Sequence, residues 1–299
     1  MNPLHFFLDP FGYGNRKISR LDTPYPLRSD LAELKVLVTG ASKGIGLALC
    51  ESLQGSGISV IAVARSCPEA LRGFDCIQLD LSKPQDILRF VEDSEELDGL
   101  VFNAGAMPLS PPPIDPLTNL DSLYILHILG PAFITRELVR RKKFKPGARI
   151  IIVTSGGGLT TPLSRRYMGQ LVDPYDGVKQ YAIHKRQQMV LCEYLHQQYH
   201  KDHLRIYCMH PGWVDTPGLR EAMPGFHRLT KSILRNPYQG ADTINWLLMG
   251  EEQGSGRLYF DRSRVSTNPL PWVRDKSQKK RDFGTKLEEQ LALLKGLLT

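Results

Sequence analysis

Two stretches of the chain carry a pairing that can do acid–base chemistry: Tyr175 with Lys179, and Tyr181 with Lys185. A tyrosine and a lysine four residues apart share one face of a helix, and the ammonium favours the phenolate. A phenol pKa of about 10 is thereby drawn toward working pH. Such a tyrosine can give a proton to a carbonyl oxygen or take one from an alcohol. The duplication leaves the pairing unspecific by itself. Tyr181 opens the run 182–199, which has neither Pro nor Gly, whereas Tyr175 lies between Pro174 and Gly177, where a helix would begin.

A second group of residues suits a phosphate. The run Thr39-Gly40-Ala41-Ser42-Lys43-Gly44-Ile45-Gly46 follows directly on an apolar segment and leads into a helical pattern. Glycines there permit a tight turn and close backbone approach, and the free N–H groups of the helix start meet a pyrophosphate. The next apolar segment names the dinucleotide. An NAD site would end it in Asp or Glu for the ribose 2′-hydroxyl, but Arg65 follows Ala64. Arg65 together with Lys43 suits a 2′-phosphate, so the expected cofactor is NADP(H).

The elements that must position these residues are legible as an alternation. Strand-length apolar runs at 35–39, 58–63, 75–79, 99–102, 149–154, 204–209 and 257–260 are separated by helical patterns at 45–53, 84–93, 117–141, 176–199, 218–234 and 239–249. Continuous apolar strands between helices predict a parallel sheet covered on both faces. The expectation is a doubly wound α/β fold of three layers, the Rossmann fold, in one domain over residues 35–261, with ligands at the carboxyl ends of the strands. Residues 1–34 form an N-terminal extension. Its Phe6, Phe7, Phe11 and Tyr13 beside Arg16, Lys17 and Arg20 could lie on a membrane surface, although a strap over the domain is favoured. Residues 262–299 form a basic C-terminal extension ending in a helix at 283–298.

Composition excludes other classes. Of 299 residues 41% are hydrophobic and 23% charged, the balance of a globular protein and not of a disordered, fibrous or disulfide-scaffold chain. No run approaches the roughly 18 apolar residues of a membrane span, and no secretory signal is recognisable. The five cysteines form no C-x-x-C pair and are expected to be reduced thiols in a cytoplasmic setting. The net charge of +7 gathers in runs such as 136–145, read as solvated faces and not a nucleic-acid surface. His196 and His200, four apart, lack the context of a metal site, and none is expected. There is no G-x-S-x-G elbow, which argues against a hydrolase serine.

Taken in order, these motifs resemble the short-chain dehydrogenase/reductase family over roughly residues 35–260. Thr39–Gly46 is similar to its TGxxxGxG turn, Asn103-Ala104-Gly105 to its NAG, and Pro211-Gly212 with Thr216 to its PGxxxT. The strings 210–227, 185–188, 239–243 and 265–267 resemble the member-twelve-like group of that family, for which no substrate follows. The resemblance implies that Asp80 and Leu81, after the third strand, contact adenine together with Asn103 and Gly105. It implies that Pro211, Gly212, Val214 and Thr216 hold the nicotinamide end. Ser155 falls where the family has the serine that hydrogen-bonds the substrate oxygen. The spacing from Lys185 to Pro211 and the string Tyr-Ala-x-x-Lys-Arg-Gln-Gln favour Tyr181 and Lys185 as the acid–base pair, with Lys185 also binding ribose.

His127 stands where the family carries an asparagine supporting a water relay to the lysine. Histidine can pass protons and bind water. Residues 156–174 are longer than in the short form of the family and should make an extended lip. Met107, Leu109, Leu159, Met168, Trp213, Met223 and Phe226 are expected to border the cleft, implying a lipophilic carbonyl or alcohol as the small-molecule substrate. The alternative is a catalytically weak or inactive NADP(H)-binding sensor or scaffold. Like charge at 140–143 across a two-fold axis favours a monomer.

Overall fold

The computed structural model describes residues 24–297. The aromatic and basic cluster at 6–20 lies outside the described residues. Eight strands form one sheet in the order β3-β2-β1-β4-β5-β6-β7-β8. They are β1 Lys35–Thr39, β2 Ser59–Ala64, β3 Asp75–Gln78, β4 Leu97–Phe102, β5 Phe144–Val153, β6 Arg205–Met209, β7 Arg257–Phe260 and β8 Ser263–Val265. All neighbouring pairs are parallel except β7 with β8. Strand order reverses beside β1, so its carboxyl end and that of β4 open onto a crevice, the ligand position of such sheets.

Successive side chains of β1 go to opposite faces. Val36 and Val38 join Leu49 and Leu53 of α1 (Gly44–Gly55) and Ile244 and Leu247 of α7 (Pro237–Met249) on one face. Leu37 joins the other, with Ile87 of α2 (Pro84–Asp93), Phe133 of α3 (residues 122–140) and Leu191 of α4 (Gly177–Tyr199). The period of two in strands buried on both sides is what makes them read as unbroken apolar runs.

Three places depart from the sequence reading. The helical pattern at 117–141 begins later: α3 has an α turn Ser122–Tyr124, a π segment Ile125–Leu129 and then Gly130–Arg140. Asp121 caps it, accepting the Tyr124 N–H at 2.7 Å. The pattern at 218–234 splits into α5 (Pro217–Ala222) and α6 (Pro224–Thr230), because Pro224 has no N–H to continue the first helix and starts the second. The C-terminal stretch is built into the fold. β8 completes the sheet, and α8 (Ser277–Gly296) buries Phe283, Leu287, Leu291 and Leu294 against the face that carries α3 and α4.

The expectation of five reduced thiols is also corrected. Cys67, just past β2, is joined to Cys76 on β3 by a disulfide with its Cα atoms 6.1 Å apart, while Cys50, Cys192 and Cys208 are free and buried. The two are nine residues apart and meet because β2 and β3 lie side by side, a relation that spacing alone does not reveal. Among the described residues no helix is long and apolar enough to cross a membrane.

Candidate active site

Two cavities of about 280 Å³ each share Ile45, Asn103, Gly105, Ala106, Thr216 and Gly218, so they are two ends of one cleft along the carboxyl edge of the sheet. The first end is lined by Gly40, Ser42, Lys43, Gly44, Arg65, Asp80 and Leu81 as well as the shared residues. The second is lined by Ser155, Tyr181, Lys185, Pro211, Gly212 and Val214. Of the residues expected to act in catalysis or to bind cofactor, Gly46 and His127 do not line the cleft; both lie one layer behind it.

The glycine turn is a cradle with no room for side chains. Gly40 takes φ +67° and Gly44 φ +59°, and a Cβ on Gly46 would come within 2.2 Å of the Gly40 carbonyl oxygen. Asn103 fastens the turn, its Nδ2 donating to the carbonyls of Thr39 at 3.0 Å and Gly40 at 3.2 Å. Thr39 Oγ1 in turn accepts the N–H groups of Asn103 and Ala104. The bare backbone at the start of α1 therefore faces the cleft, as an anionic diphosphate requires. Lys43 and Arg65 are both exposed at this end, with Lys43 3.7 Å from Glu221, and no carboxylate follows Ala64. The residues present fit a dinucleotide carrying a 2′-phosphate.

At the other end, β5 and α4 are fastened together. Thr154 Oγ1 donates to the Lys185 carbonyl at 2.7 Å, and Gly158 lies so close to α4 that a Cβ there would meet Lys185 backbone at 2.7 Å. This brings Ser155 and Tyr181 to the same end of the cleft. Lys185 Nζ lies over the Tyr181 ring, 5.3 Å from its centre, and donates to the Val153 carbonyl at 2.9 Å and Gln188 Oε1 at 3.0 Å.

The electrostatics correct one expectation. Burial pushes the Tyr181 hydroxyl up to about 12 despite the lowering effect of Ser155, and burial brings Lys185 down to about 8. The ammonium sits over the ring and gives two of its three N–H groups to Val153 and Gln188, and burial outweighs its pull on the phenol. The Tyr181 hydroxyl therefore keeps its proton at neutral pH.

Tyr175 takes no part. Its hydroxyl donates to the Pro108 carbonyl at 2.9 Å, and Lys179 is exposed beyond the Asp176 cap of α4. His127, fully buried, accepts the Ala106 N–H at Nε2 (3.2 Å) and meets His184 Nδ1 at 3.3 Å through its Nδ1. Its Nε2 lies 3.2 Å, and Lys185 Nζ 3.6 Å, from where a Cβ of Gly105 would be. Burial, Lys185 and His184 hold its pKa well below the usual histidine value.

The lip is pinned and not free: Gln187 Nε2 donates to the carbonyls of Ser164 and Tyr167, and Gln180 Oε1 accepts the Val172 N–H. Leu159 and Met168 turn into the core away from the cleft, and Leu109 is exposed. Met107, Trp213 and Met223 do line it, joined by Val178 and Leu219, which the sequence reading missed; Phe226 packs on Trp213 with ring centres 4.6 Å apart. Thr39, Thr154 and Gln188 were also missed. The one signal for Gln188 was its place three residues after Lys185, on the same helical face.

A single sheet with its reversal at β1, a glycine cradle and a serine–tyrosine–lysine cluster define a nucleotide-dependent oxidoreductase site. The chain belongs to the short-chain dehydrogenase family, whose sequence model, described as short chain dehydrogenase, matches residues 34–225. It is similar to "Dehydrogenase/reductase SDR family member 12" of Homo sapiens, with 35% identity over 264 residues covering 82% of this chain and 82% of that one. This agrees with the subgroup strings in the sequence. Among solved structures, an uncharacterised protein from Mycobacterium paratuberculosis superposes with a TM-score of 0.66 at 19% identity, covering 91% of this chain and 96% of that one. A short chain dehydrogenase from Burkholderia cenocepacia in complex with NADP superposes at 0.60 with 20% identity, covering 77% and 96%.

Proposed function

We propose that the protein is an NADP(H)-dependent oxidoreductase that moves a hydride between nicotinamide and the carbon of a carbonyl or alcohol. The observation carrying this reading is that Ser155, Tyr181 and Lys185 meet at one end of a cleft whose other end joins the glycine cradle to Lys43 and Arg65. When bound, the dinucleotide supplies or accepts the hydride. The NADP in the Burkholderia cenocepacia structure supports the choice of cofactor.

Lys43 and Arg65 bind the 2′-phosphate, and the turn from Gly40 through Ser42, Gly44 and Ile45 to Gly46 takes the diphosphate. Asp80, Leu81, Asn103 and Gly105 flank adenine and its ribose. Pro211, Gly212, Val214 and Thr216 hold the nicotinamide end. Ser155 donates to the substrate oxygen, Tyr181 gives that oxygen its proton, and Lys185 binds ribose and stabilises the phenolate left behind. His127 occupies the relay position behind Lys185. Met107, Val178, Trp213, Leu219 and Met223 give the substrate end an apolar lining, which favours a lipophilic carbonyl or alcohol.

The test is an equilibrium titration with NADPH and NADH in parallel, followed by a panel of lipophilic aldehydes, ketones and alcohols. Tight NADPH binding with turnover that Tyr181→Phe removes supports the reading. A stoichiometric NADPH complex inert toward the whole panel would replace it with a cofactor-binding sensor or scaffold. α8 covers α3 and α4, with Arg136 donating to the Leu291 carbonyl and Tyr124 to Gln290. This supports a monomer, to be checked by sedimentation velocity.

A further inference from the structure

Lys185 is held from its inner side by a residue that the mechanism above does not use. Gln188 lies one helical turn further along α4 and is buried, as are Lys185 and His127. Its amide is used at both ends: Oε1 accepts from Lys185 Nζ at 3.0 Å, and Nε2 donates to the His127 carbonyl at 3.1 Å. One backbone donor to that carbonyl is ruled out by the sequence. In an α-helix its donor would be the N–H of residue 131, which is proline and has none. The backbone of α3 passes through its π segment at this point.

We propose that Gln188 is a positioning residue for Lys185, bridging its ammonium to the His127 carbonyl and thereby setting the charge state and direction of that ammonium in the site. The inference rests on the reading of Tyr181 and Lys185 as the acid–base pair, and it goes beyond that reading by assigning what sets the lysine. With the Val153 carbonyl and Gln188 Oε1 filled from within, one N–H of Lys185 remains for the cleft. An amide also has a fixed sense, accepting at oxygen and donating at nitrogen. The bridge therefore holds a charge in place without passing a proton between Lys185 and the His127 backbone, as a water or hydroxyl there would.

The groups that face Lys185 are few. Tyr181 and His184 come from its own helix, His127 from α3 and Cys208 from β6. Burial holds Tyr181 protonated, up to about 12, and keeps His184 neutral, down to about 3, so neither changes charge near the lysine's own midpoint of about 8. His127 is held low in the same way. A change in that midpoint on altering residue 188 therefore reports the bridge, once the Cys208 thiol is controlled for.

The experiment is a pH titration of the Lys185 Cε resonance in full-length protein labelled with [¹³Cε]lysine, assigned by its loss in Lys185→Arg. It is run in the parent, Gln188→Leu and Gln188→Glu, and repeated in a Cys208→Ala background. Gln188→Leu takes an acceptor from a buried ammonium and is expected to lower the midpoint by about one pH unit or more. Gln188→Glu sets a carboxylate beside it and is expected to raise the midpoint by as much. Unchanged midpoints in both variants would overturn the proposal, since a merely structural role would lower stability without moving the titration. If the leucine variant does not fold, the glutamate variant decides alone. The measurement needs no substrate. Failure of the oxidoreductase reading would instead appear as turnover retained in Tyr181→Phe, with the lysine titration still responding to residue 188.

Discussion

Ser155 and Tyr181, from the end of β5 and the second turn of α4, line the same end of the cleft, whereas Tyr175 spends its hydroxyl on the Pro108 carbonyl. The two tyrosines begin the same four-residue pairing with lysine, yet only one reaches the cleft. Tyr181→Phe is expected to lower turnover by about 10²–10⁴-fold, the range of a lost general acid, and to leave NADPH affinity within a few-fold. Tyr175→Phe should retain most of the parent's activity. Steady-state kinetics on the first substrate found in the carbonyl panel checks both; the reverse pattern would move the acid to Tyr175.

In the proposed function Arg65 carries the choice between the two dinucleotides. Replacing it by Asp removes a charged donor to the 2′-phosphate and supplies an acceptor for a 2′-hydroxyl. NADPH affinity is expected to fall by roughly 10–100-fold, as for loss of about 1.5–3 kcal/mol of charged hydrogen bonding, with NADH gaining. Lys43→Ala should cost less, because its ammonium is shared with Glu221 at the cleft edge. Fluorescence titration with both reduced cofactors reads this, and a variant that still prefers NADPH to the parental degree would remove Arg65 from the phosphate site.

Acid should unfold the protein steeply. Burial keeps His184 and His210 down to about 3, with His127 also held low, against 6.5 for the unfolded chain. From about pH 6.5 downward the unfolded state binds more protons at these three sites, so stability falls as pH falls. Asp121 works in the opposite sense. Burial raises its carboxyl to about 6 from 3.8, so between those values the folded state holds the extra proton. Two uncompensated histidines remain, worth about 3 kcal/mol per pH unit at 1.4 kcal/mol for each proton. Urea unfolding at pH 7, 5.5 and 4.5 measures it; a free energy flat across that range would mean that these rings already carry protons in the fold.

Much of this is legible in the sequence, and the reason is local. Strands β1, β2 and β5 are apolar on both faces, and the glycine cradle sits at a strand-to-helix junction, so periodicity and position declare them. What stayed hidden depends on neighbours in space. β8 is three residues long and exists because β7 pairs with it, and Cys67 meets Cys76 only once β2 and β3 lie side by side. The π segment of α3 and the bridge from Gln188 to His127 arise between two helices, and neither helix announces them alone. Leu159 and Met168 were expected at the cleft because their lip borders it, but the core beneath competes for apolar side chains and wins.

The disulfide closes a short loop at the exit of β2, two residues beyond Arg65. By loop-closure entropy a link of this length stabilises by about 2–3 kcal/mol. Cys67→Ser is therefore expected to lower the unfolding free energy by about that amount, and dithiothreitol should reproduce the loss in the parent without further effect on the variant. Thermal unfolding with and without reductant decides; a parent indifferent to reductant would show that the two thiols are not joined in solution.

Arg186 neighbours Lys185 on α4 but points the other way, and it fixes the C-terminal stretch to that helix. Buried together with Asp275, it pairs with that carboxylate and donates to the carbonyls of Thr267 and Val273, while Asp275 Oδ1 accepts the Leu163 N–H from the lip at 3.1 Å. One carboxylate thus joins the lip, α4 and the segment leading into α8. Asp275→Ala leaves a buried guanidinium without its counter-charge and the Leu163 N–H without its acceptor, a change expected to cost about 3–5 kcal/mol. Asp275→Asn keeps an acceptor at the same place and should lose distinctly less. If chemical denaturation finds the two variants equally destabilised, the charge pair and not the hydrogen bond to the lip carries the effect; if neither is destabilised, this stretch does not hold α4.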